Sequence, residues 1–190
     1  MGGVGVTHRR KNGLYPLAVT SVGAAVLAVV SPFVIPVGPI PISLCTLMIS
    51  LCAYVLGWRR GTLCVLVYLL LGAAGMPVFS GFAGGLGKVL GPTGGYILGY
   101  LPLAAITGLA AERASGKRGV QLAAMILATA LLYGFGTAWY CVQAEVRVQA
   151  AAAVCVLPFL PGDGAKIAAA LYLGPKLRAR LREAGLALEK

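Results

Sequence analysis

The chain has 190 residues, of which 59% are hydrophobic and only 11% are charged, and its mean hydropathy is +0.88. A soluble domain with an ordinary polar surface does not carry this composition, so a water-facing fold is excluded. The net charge of +11 does not indicate nucleic acid either, because the basic residues form short clusters between long apolar runs. This pattern predicts an all-α integral membrane protein that contacts the lipid bilayer.

The N-terminal apolar run follows a basic segment, His8 to Lys11, as it does in a signal peptide. The run from Leu17 to Phe33 is long and leads into further hydrophobic sequence, which indicates an uncleaved first span. Small residues recur in it every four positions, at Thr20, Ala24 and Ala28. Such spacing lets a second helix approach closely, and that helix belongs either to a partner protein or to this same chain.

The spacing of the basic clusters sets the number of predicted spans. Thirteen of the sixteen Lys and Arg residues fall in four clusters, at 9–11, 59–60, 113–118 and 176–190, separated by roughly 47 to 57 residues. A helical span needs about 20 residues, so each interval accommodates two spans joined by a turn. Three hairpins then give six transmembrane helices. All four clusters lie on one side, which their positive charge identifies as cytoplasmic, with both termini inside.

The predicted spans are 15–33, 44–56, 62–75, 95–111, 119–141 and 162–181, and the second and third are short. The apolar run 148–160 is too short to span and is predicted to be interfacial or re-entrant. Residues 1–190 are thus expected to form a single transmembrane domain, with a basic tail at 1–12, the helical bundle at 15–182 and a second tail at 183–190. We expect the chain to cross the bacterial plasma (inner) membrane several times, with the basic turns on the cytoplasmic side.

The three outer hairpin tips carry eight of the eleven prolines, which interrupt helices and fix loop geometry. The second tip, 79–95, contains seven glycines, which allow close backbone approach. It is either a flexible surface loop or a loop that folds over a ligand. Lys88 in this tip does not belong to a phosphate-binding P-loop, because Phe82 and Val89 occupy the positions of the required Gly and Ser or Thr.

The third tip ends in Asp163 and Lys166, three residues apart and therefore on one helical face. They form either a structural ion pair, with Asp163 capping the helix, or a polar floor for a small ligand. A purely structural cap would not need a lysine, which favours the ligand site. Trp139 and Tyr140 lie near the outer end of the fifth span, where aromatic residues form an interfacial belt or, less often, a ligand wall.

The sequence does not support catalysis, a cofactor or a metal site. The one histidine, His8, lies in the basic tail, and the motifs H-E-x-x-H and G-x-S-x-G do not occur. The five cysteines lack the spacing of a zinc site. The chain lacks the series of ionisable groups that proton-coupled transport needs, because Asp163 is the one acidic residue near the membrane interior. We therefore expect a non-enzymatic protein that takes its energy from partners.

Three segments together resemble the BioY family, the biotin-specific substrate-binding (S) components of energy-coupling factor (ECF) transporters. They are Pro39–Leu44, the stretch Gly84–Tyr96 with its Gly-Pro-Thr-Gly-Gly-Tyr element, and Phe159–Lys166 with its Pro-Gly-Asp-x-x-Lys element. The resemblance covers essentially the whole chain. It implies a six-helix bundle like that of other S components, with a biotin pocket near the extracellular face that is closed by the first and second outer loops.

The resemblance also implies partners and site residues. The partners are a transmembrane coupling protein, contacted by small residues such as Thr20, Ala24 and Ala28, and two ATPase subunits. Asp163 and Lys166 are expected at the ligand, and Gly84–Tyr96 is expected to form the lid. The full set of expected substrate-binding residues is Asp163, Lys166, Lys88, Gly85, Gly91, Thr93, Gly94, Tyr96, Tyr140 and Trp139. Cys45 departs from the family, since many relatives have Gln there.

Biotin presents a carboxylate, a ureido ring and an apolar bicycle, so its pocket needs a cation, an acceptor and a hydrophobic wall. Asp163 is expected to accept hydrogen bonds from the ureido N–H groups, and Lys166 or Lys88 to meet the carboxylate. The topology alone does not select biotin. A carrier for another small vitamin, either as an S component or alone, therefore remains the alternative.

Overall fold

The computed structural model describes residues 14–35 and 42–184. The predicted tail 1–12, most of the second tail (185–190), and the prolines of the first tip at positions 36, 39 and 41 lie outside the described residues. The elements in chain order are α1 (Leu14–Val30), β1 (Val34–Ile35), β2 (Ile42–Ser43), α2 (Cys45–Ala73), α3 (Leu86–Leu90), α4 (Gly94–Arg113), α5 (Arg118–Ala144), α6 (Val148–Cys155) and α7 (Leu160–Glu183).

The all-helical prediction is confirmed, apart from β1 and β2, two residues each, which pair antiparallel. The helices α1, α4, α5 and α7 begin and end within about three residues of predicted spans. The run predicted as interfacial forms α6, which has eight residues and bends by 53° into α7. A helix of this length is about 12 Å long, too short to cross a bilayer by itself.

The second and third predicted spans lie together within α2, which is interrupted at Gly57. This residue has φ +83° and ψ 176°, a backbone conformation that glycine adopts without a steric penalty. A Cβ atom on Gly61 would lie 2.5 Å from Ala53 Cα, whereas eight residues of straight helix would separate them by about 12 Å. The two halves of α2 therefore pack side by side, and the Trp58 N–H at the turn donates to Glu112 Oε1 at 3.2 Å.

The central element of the bundle is α2, which packs against α1, α4 and α7, while α4 packs also against α5. Its buried core includes Tyr68 and Phe79, whose rings meet edge to face at 5.6 Å. At one end of the molecule lie β1, β2, α3, α6 and the start of α7. We call this the pocket end. The turn at Gly57 and the α4–α5 turn lie at the opposite end.

By length and composition alone, three of the described helices, α2, α4 and α5, are long and apolar enough to cross a membrane, and α6 with α7 supplies a fourth if taken as one bent span. Because α2 folds back on itself at Gly57, each of its halves is shorter than the 29 residues counted for the whole helix. The outer surface agrees with this placement. On α5, Ile126, Leu127, Leu131 and Phe135 are each about half exposed. A continuous apolar surface of this kind fits lipid rather than water.

Candidate substrate-binding site

A cavity at the pocket end is enclosed by the start of α2, by α3, by α4 and α5, and by the junction of α6 with α7. Its wall combines apolar and aromatic side chains with hydroxyls and three charged side chains, which is the composition of small-molecule sites. The lining residues are Ser43, Thr46, Ser80, Lys88, Thr93, Tyr96, Ile97, Tyr100, Leu132, Tyr133, Cys155, Phe159, Asp163 and Lys166.

The polar centre of this cavity is Asp163, in the first turn of α7. One carboxylate oxygen accepts a hydrogen bond from the Tyr133 hydroxyl of α5, and the other lies 2.7 Å from Lys166 Nζ. Lys166 Nζ also donates to Thr46 Oγ1 of α2 at 3.3 Å. Three separate elements therefore position one carboxylate and one ammonium group.

Burial of this cluster carries a desolvation free-energy penalty. The side chains of Asp163 and Lys166 are only 10% and 13% exposed, and charges taken out of water must be compensated by partners. The ion pair and two hydroxyl groups supply that compensation, and the carboxylate also suits the positive end of the α7 dipole. Asp163 lies inside the helix and does not cap it, since α7 begins at Leu160 without a side-chain cap.

The opposite wall is aromatic. Tyr96 and Tyr100 both point from α4 into the core, with exposures of 8% and 9%. The Tyr96 hydroxyl lies 3.1 Å from Thr137 Oγ1 and donates to the Cys155 carbonyl at 3.4 Å. Tyr96 thus ties α4 to α5 and to the end of α6, and its ring gives the cavity a fixed face.

The glycine-rich second tip contains the short helix α3 and is fastened over the cavity. Trp139 Nε1 donates to the Gly91 carbonyl at 3.0 Å, and Gln143 Nε2 donates to the Leu90 carbonyl at 2.9 Å. At its other end the Gly85 N–H donates to the Gly72 carbonyl at 2.7 Å. The segment is therefore an ordered cover in this conformation.

Lys88 reaches the cavity from α3. Its side chain is half-buried, and among the described residues no carboxylate lies within ion-pair distance of it, whereas Lys166 is paired with Asp163. Of the two lysines at the cavity, Lys166 thus has a carboxylate partner and Lys88 has none among the described residues.

The structure brings together half of the expected substrate-binding residues. Asp163, Lys166, Lys88, Thr93 and Tyr96 line the cavity. The other five do not: Trp139 and the backbone of Gly91 form the contact that fastens the cover, Gly85 precedes α3, Gly94 begins α4, and Tyr140 packs against the core.

The sequence did not identify several lining residues as site residues, above all Thr46, Tyr100 and Tyr133. Tyr133 lies 30 positions before its partner Asp163. Its position in α5 resembles that of a membrane-interface aromatic, so no sequence signal separated the two roles. Thr46 lies two residues after Pro39–Leu44, the first of the three segments that resemble the family. This proximity was the one feature of the sequence that could have indicated Thr46 as a site residue.

Cys45, the position at which the resemblance led us to expect Gln, is fully buried at the start of α2. The Ser31 hydroxyl donates to Cys45 Sγ at 3.1 Å, and the Tyr68 hydroxyl lies 3.9 Å from the same sulfur. Cys45 does not line the cavity. Its thiol therefore takes part in a polar contact behind the cavity wall.

The small residues of α1 face this same chain. Thr20 and Ala24 are only 4% and 2% exposed, and the Cys64 thiol of α2 contacts the Thr20 carbonyl at 3.1 Å. Ala28 is half-buried against the core. In this conformation α2 covers Thr20 and Ala24, which favours the intramolecular alternative for that pair.

The described residues contain no group of three His, Cys, Asp or Glu side chains that could hold a metal ion. The buried ionisable groups at the cavity, Asp163 and Lys166, pair with each other and with the hydroxyls of Tyr133 and Thr46. An apolar helical bundle with one buried polar cavity beneath a fastened loop has the architecture of a membrane protein that binds a small solute.

Comparisons with known proteins give the family. The model of the BioY family matches residues 7–183, and the chain therefore belongs to the BioY family. It is 35% identical to a probable biotin transporter BioY of Pyrococcus horikoshii, over 85% of this chain and 91% of that protein. It is 34% identical to the biotin transporter BioY of Thermotoga maritima, over 80% of this chain and 89% of that protein.

The fold agrees with that of a solved relative. A crystal structure of the S-component for biotin from an ECF-type ABC transporter matches with a TM-score of 0.80 and 26% identity, over 87% of this chain and 92% of that one. The prediction of the family from three sequence segments is thus confirmed. The chain is a membrane protein of a transporter family, and not an enzyme.

Proposed function

We propose that this chain binds biotin and serves as the substrate-binding membrane subunit of an ECF-type transporter that takes up biotin. The observation that carries the proposal is the Asp163–Lys166 pair, buried in an aromatic cavity under an ordered cover. Its relatives are named biotin transporters, and the solved relative is titled the S-component for biotin. Together these observations favour biotin over another vitamin of similar size.

The cavity complements biotin group by group. A ureido ring offers two N–H donors, for which the Asp163 carboxylate is the charged acceptor, and charge-assisted hydrogen bonds are among the stronger polar contacts. Tyr96, Tyr100 and Phe159 supply the apolar and aromatic wall that a bicyclic ring needs. The valerate carboxylate then requires a cation at the other end of the ligand.

Lys88 is the better candidate for that cation. Lys166 already pairs with Asp163 and donates to Thr46, so its charge is largely neutralised before any ligand arrives. Lys88 lies on the cover, and among the described residues it has no acidic partner. A carboxylate that pairs with Lys88 would hold α3 down over the ligand, and this couples binding to closure of the cover.

The proposed topology has six spans in three hairpins, with both termini in the cytoplasm of a bacterial cell and the protein in the plasma membrane. The break at Gly57 supports the first cytoplasmic turn, because the two halves of α2 lie side by side. The basic residues Arg59 and Arg60 follow that break, as the charge rule requires of a cytoplasmic turn. The cavity then opens toward the extracellular side.

The proposed partners are a transmembrane coupling protein and two ATPase subunits. The chain contains no P-loop and no nucleotide motif, so the energy for uptake must come from outside it. The exposed apolar helical faces leave room for a membrane partner as well as lipid.

Uptake of radiolabelled biotin tests this proposal. A bacterial host that lacks its own biotin transporter would express the full chain, alone or with a coupling protein and ATPase pair. Accumulation that requires the chain and increases with the ATPases is the expected result. Uptake that is the same with and without the chain would overturn it. An Asp163→Asn variant serves as the matched negative control.

A further inference from the structure

A second cavity lies at the end of the molecule opposite the substrate-binding site. Its volume is about 360 Å³, and it lies between the α4–α5 turn, the turn end of α2 and the last two turns of α7. Three arginines line it: Arg118 at the start of α5, and Arg178 and Arg182 on α7. The latter two are four residues apart and therefore lie on one face of the helix.

No acidic side chain lines this cavity in the described part of the chain. Arg178 Nη1 donates to the Ala111 carbonyl at 3.1 Å, which uses one of the five N–H donors of the guanidinium group. Arg178 is half-buried, and Arg118 and Arg182 are exposed, so solvent screens much of the repulsion among the three cations. An anion between them would add a favourable charge interaction with each guanidinium group.

Other cations on the same helix are arranged differently. Arg180 pairs with Glu183 at 3.3 Å, and Lys176 Nζ lies 3.7 Å from the centre of the Tyr172 ring. Neither Lys176 nor Arg180 lines the cavity. The basic character of the cavity is thus a property of one face of α7 and not of the whole segment.

The floor of the cavity is ordered without any ligand. The Tyr54 hydroxyl donates to Gln121 Oε1 at 2.9 Å, and Gln121 Nε2 donates to the Ala114 carbonyl at 3.0 Å. Gln121 is only 2% exposed. This network joins α2, the α4–α5 turn and α5, so the arginines surround a preformed floor and a ligand need not order it.

We propose that this cavity binds a phosphate group, and that the phosphate belongs to an anionic phospholipid. Arginine suits phosphate because its planar guanidinium donates two parallel hydrogen bonds to such oxygens. One and two turns after Arg118, Leu122 and Ile126 are 40% and 52% exposed, and this apolar strip can contact the acyl chains. Basic cavities between membrane helices at the bilayer surface are suited to lipid headgroups.

Native mass spectrometry of the full chain tests the site, with phosphatidylglycerol and phosphatidylcholine supplied at equal concentration. The test variant is Arg118→Gln/Arg182→Gln, which keeps the Arg178–Ala111 bond and hence the fold. The matched control is Lys176→Gln/Arg180→Gln, which removes the same two charges away from the cavity. A monodisperse size-exclusion profile confirms that each variant is folded.

The wild-type chain and the control are expected to bind more phosphatidylglycerol than phosphatidylcholine. In the test variant, the ratio of bound phosphatidylglycerol to bound phosphatidylcholine should fall about tenfold. Equal losses in both variants would overturn the proposal, since they would indicate general surface charge. No preference in the wild type would overturn it too. Displacement of the lipid by millimolar inorganic phosphate would support the phosphate site and assign it to the free ion instead.

Discussion

The ammonium group of Lys166 lies 2.7 Å from the carboxylate of Asp163, one turn along α7, and both side chains are almost entirely buried. A second ion pair on the same helix has the same i, i+3 spacing, but its members, Arg180 and Glu183, are 83% and 66% exposed. Exposed pairs of this kind contribute little to stability. The two pairs share their spacing and their helix, but the Asp163–Lys166 pair is buried and has hydroxyl partners on α2 and α5.

We therefore expect Asp163→Asn to weaken biotin binding by about 1 to 3 kcal/mol, and by more where the unpaired Lys166 stays buried. Isothermal titration of the purified protein measures the change. Glu183→Gln is the matched control and should leave the affinity unchanged. An Asp163→Asn variant that binds biotin as tightly as the wild type would refute the assignment of Asp163 to the ligand.

Lys88 is expected to meet the biotin carboxylate. Lys88→Met should then weaken the binding of biotin by about 1.5 to 3 kcal/mol, because a charge-assisted hydrogen bond is lost. Biotin methyl ester, which has no carboxylate charge, should bind Lys88→Met and the wild type with similar affinity.

Lys166→Met provides the comparison for Lys88, since it should weaken biotin and its methyl ester alike by disrupting Asp163. Affinities of both ligands for the wild type and both variants separate the two roles, in the manner of a double-mutant cycle. If Lys166→Met weakens biotin but not the methyl ester, and Lys88→Met weakens both equally, the roles of the two lysines are reversed.

Trp139 is expected to control how long the ligand stays bound. Trp139→Phe removes the hydrogen bond from Nε1 to the Gly91 carbonyl, worth about 0.5 to 1.5 kcal/mol, so biotin should dissociate about two- to tenfold faster. Hydrogen exchange of residues 86–93 should rise in the same variant. Trp58→Phe, at the opposite end of the molecule, is the control. Unchanged dissociation and exchange in Trp139→Phe would contradict the role in fastening the cover.

Gly61 is expected to be required for the hairpin within α2. Gly61→Ala places a methyl group against the backbone of Ala53, and overpacking of this kind costs about 1 to 3 kcal/mol of stability. The thermal unfolding midpoint in detergent should fall. Gly134→Ala is the control, because a Cβ there meets no neighbouring atom. Equal midpoints for both variants would argue against close packing of the two halves.

Much of the helical framework could be predicted from the sequence, because apolar runs of span length and basic clusters are local signals. The predicted span 95–111 corresponds to α4 (Gly94–Arg113), and 162–181 to α7 (Leu160–Glu183). The pair Asp163 and Lys166 was found for the same reason, since their spacing on one helix is visible in the sequence.

The contacts between helices could not be predicted in this way. Tyr133 and Thr46 meet the Asp163–Lys166 pair across 30 and 120 positions of sequence, and only the packing of α2, α5 and α7 brings them together. Trp139 was predicted as part of a hydrophobic wall for biotin, and in the structure its indole N–H donates to the Gly91 carbonyl and fastens the cover. Helix α3, with five residues in a glycine-rich loop, has too short a pattern to be detected.

The central claim, that this chain binds biotin, is tested most directly by equilibrium binding of biotin to the purified full chain, measured beside riboflavin and thiamine. We predict saturable binding of biotin at one site per chain and no saturable binding of the other two vitamins. Saturable binding of riboflavin or thiamine without binding of biotin would contradict the account.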